Sequence, residues 1–183
     1  MAGAATLGLE ISLRIKRLLV ILENDGCFAD GIEAATDCSV GHRTLRVEDY
    51  GKIAATFVDA ENGIAVRVTP QLNVRQRAYD YSPGEKRHYF SQLLAYQVMP
   101  DEALLNFESV QLVTPAEQII SKAGVRVICS TCGEEIINQR EVMLGGNIIC
   151  RACAGAAYYR LVLKATPSPL DLEPTQVGIP ILV

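Results

Sequence analysis

Two Cys-x-x-Cys pairs constrain this chain more than any other feature. Cys129 and Cys132 form the first pair, and Cys150 and Cys153 form the second, 17 residues further on. Each pair can place two thiolates on one ion, so together they predict a closed four-sulfur shell of the kind that suits Zn²⁺. The alternative is two disulfides or unrelated cysteines, which the paired spacing disfavours in a chain without a secretory signal. We therefore predict one structural zinc ion per chain.

The residues around the two pairs predict a treble-clef zinc finger. Gly133 lets the first knuckle turn. Two short strands, 141–144 and 147–149, are joined at Gly145-Gly146, which is a strong hairpin signal. The run 151–163 after Cys150 predicts a helix. So short a segment has few large apolar residues, and we expect metal binding to supply its folding energy, about 10–16 kcal/mol in isolated finger peptides.

Composition indicates a globular protein outside the membrane. Apolar residues make up 49% and charged residues 21% of the 183 residues. No apolar run reaches the roughly 18–20 residues of a membrane span. The first residues lack the basic region that precedes the apolar core of a secretory signal, so we expect a cytoplasmic protein without a membrane partner.

The charge balance argues against a nucleic-acid-binding finger. The formal net charge is −4. Residues 125–164 contain five arginines and lysines against three glutamates, and a zinc ion held by four thiolates adds about −2 to this segment. The basic face that phosphate binding requires is therefore not predicted.

Upstream of the finger the patterns predict an α+β core with a mixed or antiparallel sheet and packed helices. Strands are predicted at 17–23, 52–59, 64–68 and 107–113, and helices at 24–37, 82–96, after Pro100 and at 114–121. Asn24 or Asp25 is expected to cap the first of these helices, and Ser82 and Thr114 each open a capping box. In the second hairpin strand, Ile64 is expected on the core face.

A second group of chemically able residues lies between positions 25 and 55. Cys27, Asp30 and Lys52 are candidate catalytic residues, and Cys38 and His42 are candidate ligands of a cofactor. The alternatives are ordinary ones. Each cysteine would be a small buried apolar residue, His42 a turn residue and Lys52 a solvated charge. The aromatic residues between positions 79 and 96 are expected in the core or in a dimer surface.

Three blocks in this region carry a family resemblance. Residues 25–32 (DGCFADGI), 38–42 (CSVGH) and 49–54 (DYGKIA) resemble the FmdE family, which is named after a small component of tungsten/molybdenum formylmethanofuran dehydrogenase. Some members are similar to this chain in having a treble-clef finger after an α+β core. The resemblance implies an accessory component or stand-alone relative linked to one-carbon or molybdo/tungsto-enzyme metabolism, a homodimeric core and membership of a larger oxidoreductase complex.

The sequence departs from the family pattern in two places. Members usually open with a His-x-His-x-Cys-Pro-Gly block that helps to form a metal site in the core, and this block is absent here. Its absence suggests a start downstream of the family's, or a truncated gene. Members also have lysine where this chain has His42. The alternative function is therefore an enzyme or metal- or cofactor-handling protein centred on Cys27.

We predict three parts in the chain. Residues 1–123 form the FmdE-like core, residues 124–164 form the zinc finger, and residues 165–183 form an extended tail, because four prolines fall within its length.

Overall fold

A computed structural model describes residues 2–9 and 17–162 of the chain. It divides into two compact units, Met1–Ser121 and Lys122–Val183, and each unit is described by itself. The predicted tail, 165–183, lies outside the described residues, and the predicted three-part division stays a prediction. Among the described residues, no helix has the length and hydropathy that crossing a membrane requires.

The first unit is built on a five-stranded mixed sheet. In chain order it contains α1 (Ala2–Thr6), β1 (Leu18–Leu22), α2 (Cys27–Thr36), β2 (Leu45–Val47), β3 (Ala55–Asp59), β4 (Ala65–Pro70), α3 (Val74–Tyr81), α4 (His88–Ala95), α5 (Asp101–Leu104), β5 (Leu105–Val110) and α6 (Ala116–Ile120). The strand order is β2-β1-β3-β4-β5. β1 and β2 are parallel, since α2 connects them, and the other pairs are antiparallel. The predicted α+β class is confirmed.

β1 is an inner strand covered on both faces, as its continuous apolar run predicts. Val20 and Leu22 lie in a cluster that residues of α1 and α2 complete. Leu19 lies in the cluster on the other face, with Val58 and residues of α6. The first unit therefore has two apolar layers, one on each side of the sheet.

The burial of both sheet faces explains a wrong prediction about Ile64. This side chain was expected in the core but is 60% exposed, and β4 begins only at Ala65. Ala65 is buried in the cluster beside α6, while Val66 is buried on the opposite face. The alternation in this strand is therefore between two cores, and the pattern shifts by one residue.

The predicted helix over 82–96 is wrong at its start. The chain forms α3 before Ser82 and α4 only from His88. The Ser82 hydroxyl donates to the carbonyl oxygen of Ala78 at 2.8 Å and lies 2.6 Å from the hydroxyl of Ser91. Ser82 therefore closes α3, because its side chain bonds back to the preceding turn.

The other two predicted helix caps are also wrong, although both helices form. Gly26 occupies the cap position of α2, with φ 76°, and no side chain caps this end. Pro115 occupies the cap position of α6, again without a side-chain hydrogen bond. At Gly26 the left-handed backbone turns the chain from β1 into α2, which moves Asn24 and Asp25 away from the cap position.

A charge-assisted pair ties the start of β1 to the end of β3. The Arg17 guanidinium donates Nε to Asp59 Oδ1 at 2.8 Å and Nη2 to Asp59 Oδ2 at 2.6 Å. The Asp59 side chain is 3% exposed. Hydrogen bonding from Arg17 holds the pKa of Asp59 below its usual value, against the opposing effect of burial.

Replacing Asp59 by asparagine is expected to lower the free energy of unfolding at pH 7 by about 1–3 kcal/mol, since it removes a charge-assisted pair from a buried position. The pKa of Asp59 is lower in the folded chain than in the unfolded chain. The pair therefore stabilises the fold above about pH 4 and is lost as the pH falls through the folded pKa. Urea unfolding at pH 7 and pH 3 should show a smaller difference between wild type and variant at pH 3. Exposed Asp80, changed to asparagine, is the control, and a difference that grows at pH 3 contradicts this role.

The second unit consists of two hairpins and a helical turn. Its elements are β6 (Arg126–Ile128), β7 (Glu135–Ile137), β8 (Val142–Leu144), β9 (Asn147–Ile149) and the turn Ala152–Ala156. β6 pairs with β7 and β8 with β9, both antiparallel. The predicted hairpin around Gly145-Gly146 is confirmed.

The helix predicted over 151–163 is wrong in length. The chain makes one wide turn, closed by the Ala156 amide donating to the Arg151 carbonyl at 2.9 Å. Gly155 then has φ 93°, and Ala157 is extended. A left-handed glycine ends a helix at this point, so the following residues to 162 continue without helical structure.

Candidate metal centre

The first knuckle is the turn between β6 and β7. Cys129 directly follows β6, its amide donates to the Glu134 carbonyl, and its own carbonyl accepts from the Gly133 amide, both at 2.9 Å. Gly133 has φ 76°, a conformation that glycine adopts without a steric penalty. This tight turn brings Cys132 back beside Cys129.

The second knuckle follows β9. Cys150 comes directly after the strand, and Cys153 lies in the helical turn, where the Ala154 amide donates to the Cys150 carbonyl at 2.9 Å. The two hairpins are joined at Ser130. Its amide and its hydroxyl both donate to the Ile148 carbonyl, each at 2.9 Å. This link places the two knuckles next to each other.

The four cysteine sulfurs meet at one point. Their Sγ atoms all lie within 4.8 Å of one another, and Cys132 Sγ lies 3.9 Å from Cys150 Sγ. A tetrahedral zinc site with Zn–S bonds of about 2.3 Å places its sulfurs about 3.8 Å apart, whereas a disulfide requires about 2.05 Å. The cysteines are free thiols, and their spacing fits a metal ion.

Backbone amides around the cluster favour thiolate at Cys129. The amide of Cys132, followed by those of Cys150 and Thr131, lowers the pKa of Cys129 to about 6. The neighbouring sulfur of Cys150, together with burial and the other sulfurs, raises the pKa of Cys153 to about 12. The crowded sulfurs therefore resist losing all their protons together, and a divalent cation removes this repulsion. The group can bind a metal ion.

The apolar core around the cysteines is small. Its buried members are Cys129, Ile136 and Ile149, with Val127, Val142 and Ile148 partly buried beside them. Cys129 is 1% exposed, whereas Cys132 is exposed. So small an apolar core matches the expectation that metal binding stabilises this unit.

The predicted catalytic residues Cys27, Asp30 and Lys52 lie on the surface of the first unit. Cys27 is the first residue of α2 and is exposed, and Asp30 is exposed in the same turn. The Lys52 amide donates to the Glu23 carbonyl at 3.1 Å. Hydrogen bonding from Arg67, with a smaller contribution from the charge of Lys52, lowers the pKa of Glu23. These positions suit surface charges, and their catalytic role stays a prediction.

The predicted cofactor ligands Cys38 and His42 have different surroundings. Cys38 is buried in the core, its Sγ lies 3.5 Å from the Leu18 carbonyl oxygen, and burial raises its pKa. His42 is exposed, and its amide donates to Ser39 Oγ. Within residues 2–9 and 17–162, the four finger cysteines are the only group of three or more Cys, His, Asp and Glu residues positioned to hold a metal. Cys38 thus has the environment of a small apolar core residue.

Sequence analysis missed Ser130 as the residue that joins the two hairpins. Asn138 was also missed. Its side-chain oxygen accepts from the Gly124 amide at 3.2 Å, and its amide donates to the Val125 carbonyl at 2.8 Å, which closes the start of the unit. The Asn138-Gln139 pair has positive φ at both residues, and asparagine is a signal for that conformation.

Comparison with known proteins places the first unit in a family. The family model described as FmdE, molybdenum formylmethanofuran dehydrogenase operon, matches residues 1–107. A probable S-adenosyl-L-methionine-binding protein of Archaeoglobus fulgidus is 27% identical over 169 residues, covering 79% of this chain and 42% of that protein. The chain thus spans less than half the length of that relative.

A solved structure is also similar. It is an FmdE-like protein of the tungsten formylmethanofuran dehydrogenase type from Syntrophus aciditrophicus, with 22% identity and a TM-score of 0.48 over 78% of this chain and 74% of that one. The family match ends before Cys129, so the four-cysteine cluster lies outside it. On the strength of the family model, which covers more than half of its residues, the chain belongs to the FmdE family.

Proposed function

We propose that the chain is a zinc-stabilised accessory or interaction protein of the FmdE family. The observation on which this depends is the group of four cysteine sulfurs within 4.8 Å of one another. Four thiolates complete a tetrahedral shell, so such a site leaves no position for a substrate or an activated water molecule. The metal would therefore stabilise the fold of the second unit.

Zinc is the metal that this donor set favours. A tetrahedral shell of four thiolates suits Zn²⁺ or iron, and hard oxygen-binding cations such as Mg²⁺ and Ca²⁺ are disfavoured. Zinc has no redox chemistry and needs no further ligand. We therefore propose one structural Zn²⁺ per chain, bound by Cys129, Cys132, Cys150 and Cys153.

The metabolic role that we propose follows from the family. The matching family model is described by the molybdenum formylmethanofuran dehydrogenase operon. We propose that the chain acts in the cytoplasm beside a molybdenum- or tungsten-dependent oxidoreductase of one-carbon metabolism, within a larger complex, and not on nucleic acid. Titration of this protein against a purified enzyme of that class, followed by calorimetry, tests the association directly, and the absence of binding at micromolar concentrations would contradict it.

The second candidate function is an enzyme or a metal- or cofactor-handling protein that uses Cys27. The observation in its favour is the exposed position of this thiol in the first turn of α2, where no side chain caps the helix. Helix N-termini favour thiolate, the reactive form of cysteine. Asp30 in the same turn opposes this effect.

Replacing Cys27 by alanine separates the two functions. If the finger cysteines bind the only tightly held metal, wild type and variant should both contain about one zinc per chain by plasma mass spectrometry. Cys132→Ser is the matched control, and it should lose that zinc. A second metal equivalent in the wild type that disappears in Cys27→Ala would contradict the accessory function and favour the alternative.

A further inference from the structure

The helices α3 and α4 form a hairpin with an unusually small core of its own. The chain enters the hairpin from β4 and leaves it through α5 into β5. The buried members of its apolar cluster are Val74, Ala78, Ala95 and Met99. Ser82 and Ser91 are also buried there, with their hydroxyls 2.6 Å apart. The inner faces of both helices thus contain small or hydroxyl-bearing residues.

The outer face of α4 and its continuation contains the large apolar side chains. Tyr89 is 70% exposed, Val98 is 64% exposed, and the exposure of Phe90, Leu93 and Leu94 lies between 40% and 50%. Spacings of one, four, five and nine residues place these five side chains on one side of a helix. Burial in this helix is therefore reversed, with small residues inside and large apolar residues facing out.

The exposed area of this α4 face matches what one side of a stable interface needs. Together the five side chains expose roughly 500 Å², which equals a large surface patch for a monomer. A standard interface buries about 800 Å² on each partner, of which about 60% is apolar. The apolar part of a standard interface is therefore already present on this face.

The charges at the two ends of the α4 face indicate which partner it fits. Lys86 and Arg87 precede α4, and Asp101 and Glu102 follow it; all four are exposed. A second copy of the helix, laid antiparallel across the first, would place the basic end of each copy next to the acidic end of the other. The apolar side chains would also match, because the stripe from Tyr89 to Val98 has its midpoint between Leu93 and Leu94.

We propose that the α4 face is the interface of a two-fold symmetric dimer in which two copies of α4 pack antiparallel. Such an interface uses the same surface on both chains, as closed dimers generally do. This inference depends on the α4 face alone and is independent of the metal centre. It names the surface for the homodimer that the family resemblance implies.

Replacing Leu93 and Leu94 by glutamate tests the proposal. Light scattering coupled to size exclusion should give the mass of a dimer for the wild type at about 20 μM and of a monomer for the variant, with a dissociation constant raised at least 100-fold, since four charges would enter an apolar interface. Circular dichroism and zinc content should not change, because both side chains are half-exposed. Ile64→Glu, at an exposed position in the β3–β4 turn, is the control and should remain a dimer. A monomeric wild type, or a variant that remains dimeric, overturns the proposal.

A charge exchange tests the antiparallel arrangement. Lys86→Glu and Glu102→Lys should each weaken self-association, because each places like charges together in the dimer. When the two variants are mixed, the opposite charges face each other again, and a heterodimer should form more tightly than either homodimer. Equal association in all three samples would rule out antiparallel packing of α4.

Discussion

Replacing Cys150 by alanine is expected to unfold the second unit and to release its metal, while the first unit stays folded. Removing one of four thiolates opens the shell, and zinc supplies about 10–16 kcal/mol of folding free energy in isolated finger peptides. The apolar cluster around Ile136 and Ile149 is too small to replace that contribution. Limited proteolysis should cut rapidly after Gly124 and leave a stable fragment of the first unit, and zinc content should fall from about one per chain to zero.

The matched control for Cys150→Ala is Cys27→Ala, which removes an exposed thiol from the first unit. This control should keep its zinc and the protease resistance of the wild type. Cleavage throughout the first unit in Cys150→Ala would show that the two units do not fold independently. Retention of zinc and of a resistant second unit would show that Cys150 is not a ligand.

Replacing Phe57 by alanine is expected to destabilise the first unit by about 3–5 kcal/mol. Phe57 lies in the middle of β3, is 3% exposed and belongs to the cluster that α1 and α2 cover. A side-chain carbon at Gly3 would collide with the Phe57 ring, so α1 lies directly against it. The change leaves a cavity between sheet and helix, and rigid neighbours close such cavities only in part. Urea unfolding followed by far-ultraviolet circular dichroism measures the loss.

The control for Phe57→Ala is Tyr50→Ala, which removes an aromatic ring that is 67% exposed. This change should alter the free energy of unfolding by no more than about 0.5 kcal/mol. The zinc content of Phe57→Ala should equal that of the wild type, since Phe57 belongs to the other unit. A loss below about 1 kcal/mol would contradict the position of Phe57 at the centre of the core.

The metal centre could be predicted from sequence because its determinants are local. Two Cys-x-x-Cys knuckles and a Gly-Gly hairpin require only short-range turns, and the structure brings the four sulfurs together as expected. The long apolar run of β1 was equally informative, because a strand buried on both faces leaves little choice of pattern. These features are specified within a few residues of themselves.

The errors arose where distant contacts decide the outcome. Ser82 has the spacing of a capping box, but its hydroxyl is used by Ala78 and Ser91 inside the hairpin. Ile64 fits an alternating strand, but α6 covers the face that was expected to be wet. β2 was missed because a strand of three residues has no detectable period, and it forms only through parallel pairing with β1.

The helix predicted after Cys150 shows the opposite weakness. Alanine-rich sequence favours a long helix, and the run from Ala152 to Leu161 contains four alanines. One residue, Gly155, ends it by adopting φ 93°. Glycine within a run of helix-forming residues therefore deserved more weight as a stop signal.

Zinc-edge X-ray absorption on the purified protein tests the central claim most directly, because it counts the ligands and measures their distances. A metal held by Cys129, Cys132, Cys150 and Cys153 predicts one shell of four sulfurs at about 2.3 Å, without nitrogen or oxygen ligands. A shell with fewer than four sulfurs, or with an oxygen ligand at about 2.0–2.2 Å, would contradict a closed structural site.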